Sequence, residues 1–291
     1  MPTAVGSDNV LTVTTDPTYA GVWLRADFSA LSPQPLQVRF TRAGGTIVRS
    51  GDPAWAPGGV AYAYDHEAPL GGLSVWTATP IWQDGTVGSA SVSVAVIVDP
   101  MDAEVDCWIK PLGNADKALG LQVHNDRIEE AYDGRVATAD ILGAALPAAS
   151  WDRRRPSAMS ITLRTTTKAQ KALLSSALDE GPVLVQLNPV YGIDDFYAVP
   201  DGSTLRYLQG MWSPVRDVPT SFVPIARPAT IDAPLRWPGK SYAAVSSPFA
   251  IYDNRQAAYA TYRSVLETPP TFTPGGAGYG MGVYDTETYG Y

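Results

Sequence analysis

The chain reads as a mainly β protein. It predicts an N-terminal β-sandwich over 1–99, a second β-sandwich or barrel domain carrying one α-helix over 100–236, and an extended C-terminal tail with one short helix over 237–291. Three observations carry that reading. Gly (26) and Pro (25) are abundant while only 17% of the 291 residues are charged, the profile of short strands joined by many turns. Short apolar/polar alternations recur from Asn9 to Asp99 with turn residues between them. One stretch, Ser160–Leu187, reads as strand, helix, strand.

The elements follow in order. Residues 1–8 read as a flexible lead-in. Val10–Thr14 alternates, Asp16-Pro17 and Ala20-Gly21 punctuate, and Val22–Phe28 alternates again. Leu36–Thr41 places Leu36, Val38 and Phe40 on one face, and Ala43-Gly44-Gly45 is a hairpin signal before Thr46–Arg49. Val60–Tyr64, Leu73–Trp82 and Ala90–Val98 complete the series, with Asp84-Gly85 as a second hairpin signal. About seven strands in about ninety residues is the spacing of a β-sandwich.

This segment resembles a fibronectin type III or immunoglobulin-like module, with Trp23 on the second expected strand. The resemblance implies that Trp23 is a core residue. The tract Ala61-Tyr62-Ala63-Tyr64-Asp65-His66-Glu67-Ala68-Pro69-Leu70 is similar to a YDYEAPL-type tract in N-terminal modules of tail proteins from actinobacterial phages. No cysteine pair bridges the two sheets, so the antibody-type hallmark is absent.

Asp99-Pro100 marks the expected boundary. Cys107–Pro111 is strand-like, and Val123–Glu129 and Tyr132–Val136 read as strands around a polar turn. Ser160–Thr166 is a strand with Ile161 and Leu163 on one face. Thr167 is the expected N-cap, and Gln170 stands at capping-box spacing from it. A helix over 168–180 then carries Ala169, Leu173, Leu174, Ala177 and Leu178 as one apolar stripe. Gly181 and Pro182 end it, and Val183–Leu187 is the next strand. Burying Leu173, Leu174 and Leu178 is worth about 1.5–3 kcal/mol each, which requires the helix to lie on a sheet. Phe196–Val199, Thr204–Met211, Trp212–Arg216 and Phe222–Ile225 are the remaining strand candidates.

This half resembles the C-terminal half of minor tail proteins of long-tailed phages that infect actinobacteria. The matching tracts are the Trp/Pro opening, the TTT–helix–GPVLVQ unit, the run Leu187–Val199 (LNPVYGIDDFYAV) and the proline-rich Arg216–Pro228. In the tail, a short helix is expected at about 254–267, where ATYRSVL is similar to repeats at the ends of some such proteins. Thr271–Tyr291 is rich in Gly and Tyr without helical or strand period, and is expected to order only against a neighbour.

The net charge of −8 argues against nucleic-acid binding, which needs a clustered basic surface. Arg153-Arg154-Arg155 reads as a solvated loop. The lone cysteine, Cys107, cannot form an intramolecular disulfide and reads as a buried inert thiol. The opening MPTAVGSDNV lacks a signal-peptide pattern, and no apolar run approaches the roughly 18–20 residues that span a bilayer. Synthesis in a host cytoplasm and a soluble product are therefore expected.

Catalytic chemistry is hard to assemble. His66 and His124 fall in different domains without a second His or Cys at metal spacing. No G-x-S-x-G elbow, P-loop or helix-opening G-x-G-x-x-G occurs. Asp194-Asp195 reads as a turn with capping carboxylates. No catalytic, cofactor or metal residue is expected. The resemblance implies a structural minor tail protein at the tail tip or baseplate of a virion. Its partners would be itself (a ring, hexamer or trimer) and other tail proteins. Candidate interface residues are Trp55, Tyr191, Tyr259, Tyr262, Tyr279, Tyr284 and Tyr289. The alternative is a carbohydrate-binding adhesion module that stacks exposed aromatics on a host surface glycan.

Overall fold

The computed structural model describes residues 2–99, 101, 104–133, 136–139, 148–151, 155–204, 206–207 and 215–229. The chain is mainly β, and these residues fall into two compact units. One holds Met1–Pro100 with Leu112–Ala118, the other Met101–Pro111 with Leu119–Ala229. That the seven residues Leu112–Ala118 belong to the first unit is invisible in the sequence pattern. The expected helix near 254–267 and the Gly/Tyr-rich end lie outside the described residues.

The first unit contains β1 (Thr3–Val5), β2 (Leu11–Asp16), β3 (Gly21–Asp27), β4 (Gln37–Arg42), β5 (Thr46–Ile47), β6 (Ala54–Trp55), β7 (Val60–Asp65), β8 (Leu73–Ile81) and β9 (Val94–Ile97). They form two antiparallel sheets, β1-β2-β3-β7 and β5-β4-β8-β9, with β6 also paired to β4. Alternation puts Val13, Leu24, Ala63, Phe40 and Trp76 in the core, each buried. Gly51 shows how closely the two sheets pack: a Cβ there would stand 2.8 Å from Phe40 Cδ2 and 3.1 Å from Ala63 Cβ. The Ala43-Gly44-Gly45 hairpin forms as expected, with Gly44 and Gly45 at φ 81° and 77°.

Two expectations for this unit are corrected. The lead-in over 1–8 contains β1, whose Thr3 to Val5 pair with Thr14 to Thr12 of β2; three residues are too few to show a period. Trp23 is not the core tryptophan. Val22, Leu24 and Ala26 take the inward positions of β3, so Trp23 points outward and packs on Tyr64. The core tryptophan is Trp76 on β8.

The second unit contains β10 (Cys107–Pro111), β11 (Leu119–Asp133), β12 (Val136–Ala139), β13 (Ala148–Trp151), β14 (Arg155–Thr165), α1 (Lys168–Asp179), β15 (Val183–Leu187), β16 (Phe196–Ser203), β17 (Arg206–Tyr207) and β18 (Arg216–Ile225). The sheet order is β14-β11-β10-β15-β16-β18-β17, and β14 also pairs with β18. That extra pairing, from Met159↔Phe222 to Thr165↔Arg216, closes six antiparallel strands into a barrel. Ile109, Leu121, Ile161, Leu163, Val185 and Phe222 fill its interior. β11 runs unbroken through the turn expected near residues 130–131. Its pairing with β14 shifts register between Val123 and Ile128 and again between Ala131 and Tyr132, so an irregularity in the ladder stands where a break was expected. Arg155 opens β14 instead of lying in a loop; Arg153 and Arg154 lie outside the described residues.

The helix is capped as its sequence predicts. Thr167 Oγ1 accepts from Gln170 N at 3.0 Å, and Gln170 Oε1 accepts from Thr167 N at 3.3 Å. Gly181 at φ 102° and Pro182 end the segment. α1 lies against β10, β11 and β14. Leu174 and Ala177 are buried, while Leu173 and Leu178 cover the barrel core from half-buried positions.

Candidate functional site

The tract Ala61–Leu70 folds as the ionic centre of the sandwich. On β7 the inward positions are Ala61, Ala63 and Asp65, so a carboxylate is driven into the core. Arg42 Nη1 meets Asp65 Oδ2 at 3.1 Å, Trp76 Nε1 donates to the same oxygen at 2.8 Å, and Glu67 N donates to Oδ1 at 3.2 Å. Arg42 also donates to the Glu67 carbonyl at 2.5 Å. Glu67 in turn pairs with Arg49 Nη2 at 2.7 Å. Both carboxylates are buried and each is paired with a half-buried arginine, the condition under which buried ions persist.

Tyr64 lies on the opposite face of β7 and is fully buried against Trp23 and Ala115. Its hydroxyl donates to Asp16 Oδ2 at 3.2 Å. Gly21 makes room for it, because a Cβ there would fall 2.1 Å from the Tyr64 hydroxyl oxygen. Burial, and then the Asp16 charge, push the Tyr64 phenol well above its usual range. An unfolded tyrosine ionises near pH 10, about the reference value. The folded phenol keeps its proton there, so its contribution is full below about pH 10 and is lost as pH rises toward the folded value. Urea unfolding measured against pH should show wild-type stability falling above about pH 10. Tyr64→Phe should flatten that fall, and should cost about 1–3 kcal/mol at pH 7 because Asp16 loses a buried donor. Equal alkaline slopes for the two proteins would refute the assignment.

On the outer wall of the barrel, β11, β14 and β18 bring together His124, Arg164 and Asp217. His124 Nε2 lies 3.2 Å from Asp217 Oδ2, and Arg164 Nε donates to Oδ1 at 3.1 Å. Arg164 Nη2 also contacts the His124 ring. The carboxylate is buried and held from both sides. Among the described residues no Ser, Thr or Cys side chain hydrogen-bonds to His124. His66 is buried beside Tyr64, with ring centroids 6.2 Å apart. The two histidines thus serve separate units, as their sequence separation implies.

Asp194 and Asp195 precede β16 in an irregular segment. The turn there is capped by Asn188, whose Oδ1 accepts from Val190 N at 3.1 Å, with Gly192 at φ 66°. The expected capping aspartates are therefore corrected: Asp195 instead accepts from buried Gln186 Nε2 at 2.7 Å. Asp195 is exposed as a residue, yet its carboxyl meets the barrel wall. Lost solvation there pushes it above its usual range, against the Gln186 bond and the Lys110 charge that pull it down. Cys107 lies inside the barrel, and burial raises its thiol far above ordinary values, so it is inert.

Arg49, Tyr64, Asp65, His66, Glu67 and Leu112 line a cleft closed even to a water-sized molecule. Organic ligands need about 300–1,000 Å³. Among the described residues no group of three or more His, Cys, Asp or Glu could hold a metal, and no helix is long and apolar enough to cross a membrane.

No family model matches the chain, and no curated protein matches it.

The candidate interface residues separate sharply. Trp55 is 60% exposed on β6, opposite Gln37 of β4, while its neighbour Ala54 faces the core. Tyr191 is half-buried and packs on the barrel core, so it is largely a packing residue. Tyr259, Tyr262, Tyr279, Tyr284 and Tyr289 lie outside the described residues. Sequence reasoning missed the Asp65 hub. The sequence offers only the parity of Asp65 on its strand, and the arginines that neutralise it come from distant segments.

Proposed function

We propose that this chain is a structural minor tail protein of a phage virion, assembling at the tail tip or baseplate by packing of subunits around the tail channel. The observation that carries the reading is a closed antiparallel barrel with one capped helix on it, joined to a β-sandwich. The polar clusters support it. Asp65, Glu67 and Asp217 are buried and paired, which favours the surface of the described residues as the place of function. The sequence textures of both halves and the acidic net charge of −8, suited to a channel that must release DNA, agree with it.

Trp55 is the anchor proposed for a neighbouring subunit, since a large exposed aromatic is the commonest kind of interface hot spot. Trp55→Ala should change stability by no more than about 0.5 kcal/mol, as surface substitutions do. It should abolish the rings or trimers that mass photometry and negative-stain imaging are expected to reveal for wild type. Unchanged assembly in the variant would remove Trp55 from the interface. A wild-type monomer that binds arrayed glycans would replace the tail reading with the adhesion one.

A further inference from the structure

Among the described residues unit 1 has four sheet edges, of which one is capped, one is occupied and one is short. The β7 edge is capped by Ser50, whose Oγ accepts from Tyr64 N and donates to Tyr64 O, both at 2.8 Å. The outer side of β4 is occupied by the two-residue strands β5 and β6. β1 offers only three residues. β9 is different: among the described residues it pairs with β8 alone. Asp8 Oδ2 accepts from Val92 N at 2.7 Å and closes the approach to the strand, leaving Val94–Ile97 open.

Native edges are blunted by Lys, Pro or bulges. Val87–Val98, VGSASVSVAVIV, has no charged residue and no proline. Apolar residues exposed on both sides of the edge reinforce the point. Leu73 (67%) and Ile97 (55%) face each other across β8 and β9, and Val5 and Val92 are exposed near the other rim.

We propose that β9 pairs antiparallel with β9 of a second copy of this chain, joining two sandwiches into one continuous sheet. Unsatisfied backbone donors and acceptors call for a strand as the occupant. Self-complementarity selects a second copy. A two-fold axis through Val96 sets Ala95 against the partner's Ile97 and Val94 against the partner's Val98, with Val96 on the axis. Small then meets large twice on the exposed face, β-branched residues meet on the inner face, and no like charges oppose. The register must be even, because a one-residue slip would send Ile97 to the wrong face. This contact stands apart from the tail reading, since a two-fold pairing does not close a ring.

The test is light scattering and sedimentation of the full chain, over a concentration series, for wild type and two variants. Positions 95 and 97 are exposed, so the changes leave the core intact, which circular dichroism verifies. Wild type should reach twice 31.0 kDa, and Ala95→Lys/Ile97→Lys should halve the mass by opposing like charges. Ala95→Glu/Ile97→Lys should restore the doubled mass at low salt, because each Glu faces the partner's Lys. If rings also form, every mass scales by the ring number and the twofold ratio between variants persists. Equal masses for wild type and the double-lysine variant overturn the pairing. So does a Glu/Lys variant that stays at the lysine variant's mass.

Discussion

Leu174→Asp should unfold the barrel unit while β2, β3 and β8 of the sandwich keep their slow amide exchange. Leu174 is 1% exposed and belongs to the cluster that fills the barrel. Truncating such a leucine costs about 2–5 kcal/mol. An unpaired carboxylate in the same place adds its own desolvation penalty. Together these approach the whole stability of a domain, about 5–15 kcal/mol. Leu173→Asp, one position round the helix, should cost much less, because Leu173 is half-buried and its new carboxylate can reach water. Hydrogen exchange read by mass spectrometry on β10, β14 and β15 gives the result directly. Equal protection in the two variants would mean that α1 is not held by its Leu174 face.

Asp65→Ala should be the most damaging single change in the sandwich. It strips Arg42 of its carboxylate and Trp76 Nε1 of its acceptor in one step. Breaking a buried ion pair from one side costs about 3–5 kcal/mol, because the other charge is left uncompensated. Adding Arg42→Leu to Asp65→Ala should recover part of that loss, since the stranded cation goes too. Calorimetric unfolding of the two proteins would test the coupling. A loss below about 1 kcal/mol for Asp65→Ala would show the hub to be interchangeable with ordinary packing.

The two predictions differ in how visible their residues are in the sequence. Leu174 is legible at once, since a capping box, an apolar stripe and a Gly-Pro stop surround it within one short segment. Asp65 is not. Its place in the core follows from strand parity, but the arginines that neutralise it come from β4 and from the turn after β5, and nothing local announces that they converge. Trp23 failed for the same reason in reverse. Alternation says that Trp23 and Leu24 face opposite ways, but choosing the inward face requires knowing that Val22, Leu24 and Ala26 meet the other sheet. The His124–Arg164–Asp217 cluster draws on three strands that close the barrel, so it has no sequence signal at all.

Sequence by itself determined the elements: the strand series of the sandwich, the capped helix, the β15 strand after it, and the chemistry of Cys107. These rest on backbone propensity and periodicity within about a dozen residues, where neighbours in sequence are neighbours in space. Tertiary structure alone decided the closure of β14 on β18, the transfer of Leu112–Ala118 to the sandwich unit, the burial of Tyr64, and the open edge at β9. Each depends on which distant strand fills a given side of a sheet. That choice is made by packing and hydrogen-bond satisfaction across tens of residues, which local alternation cannot encode.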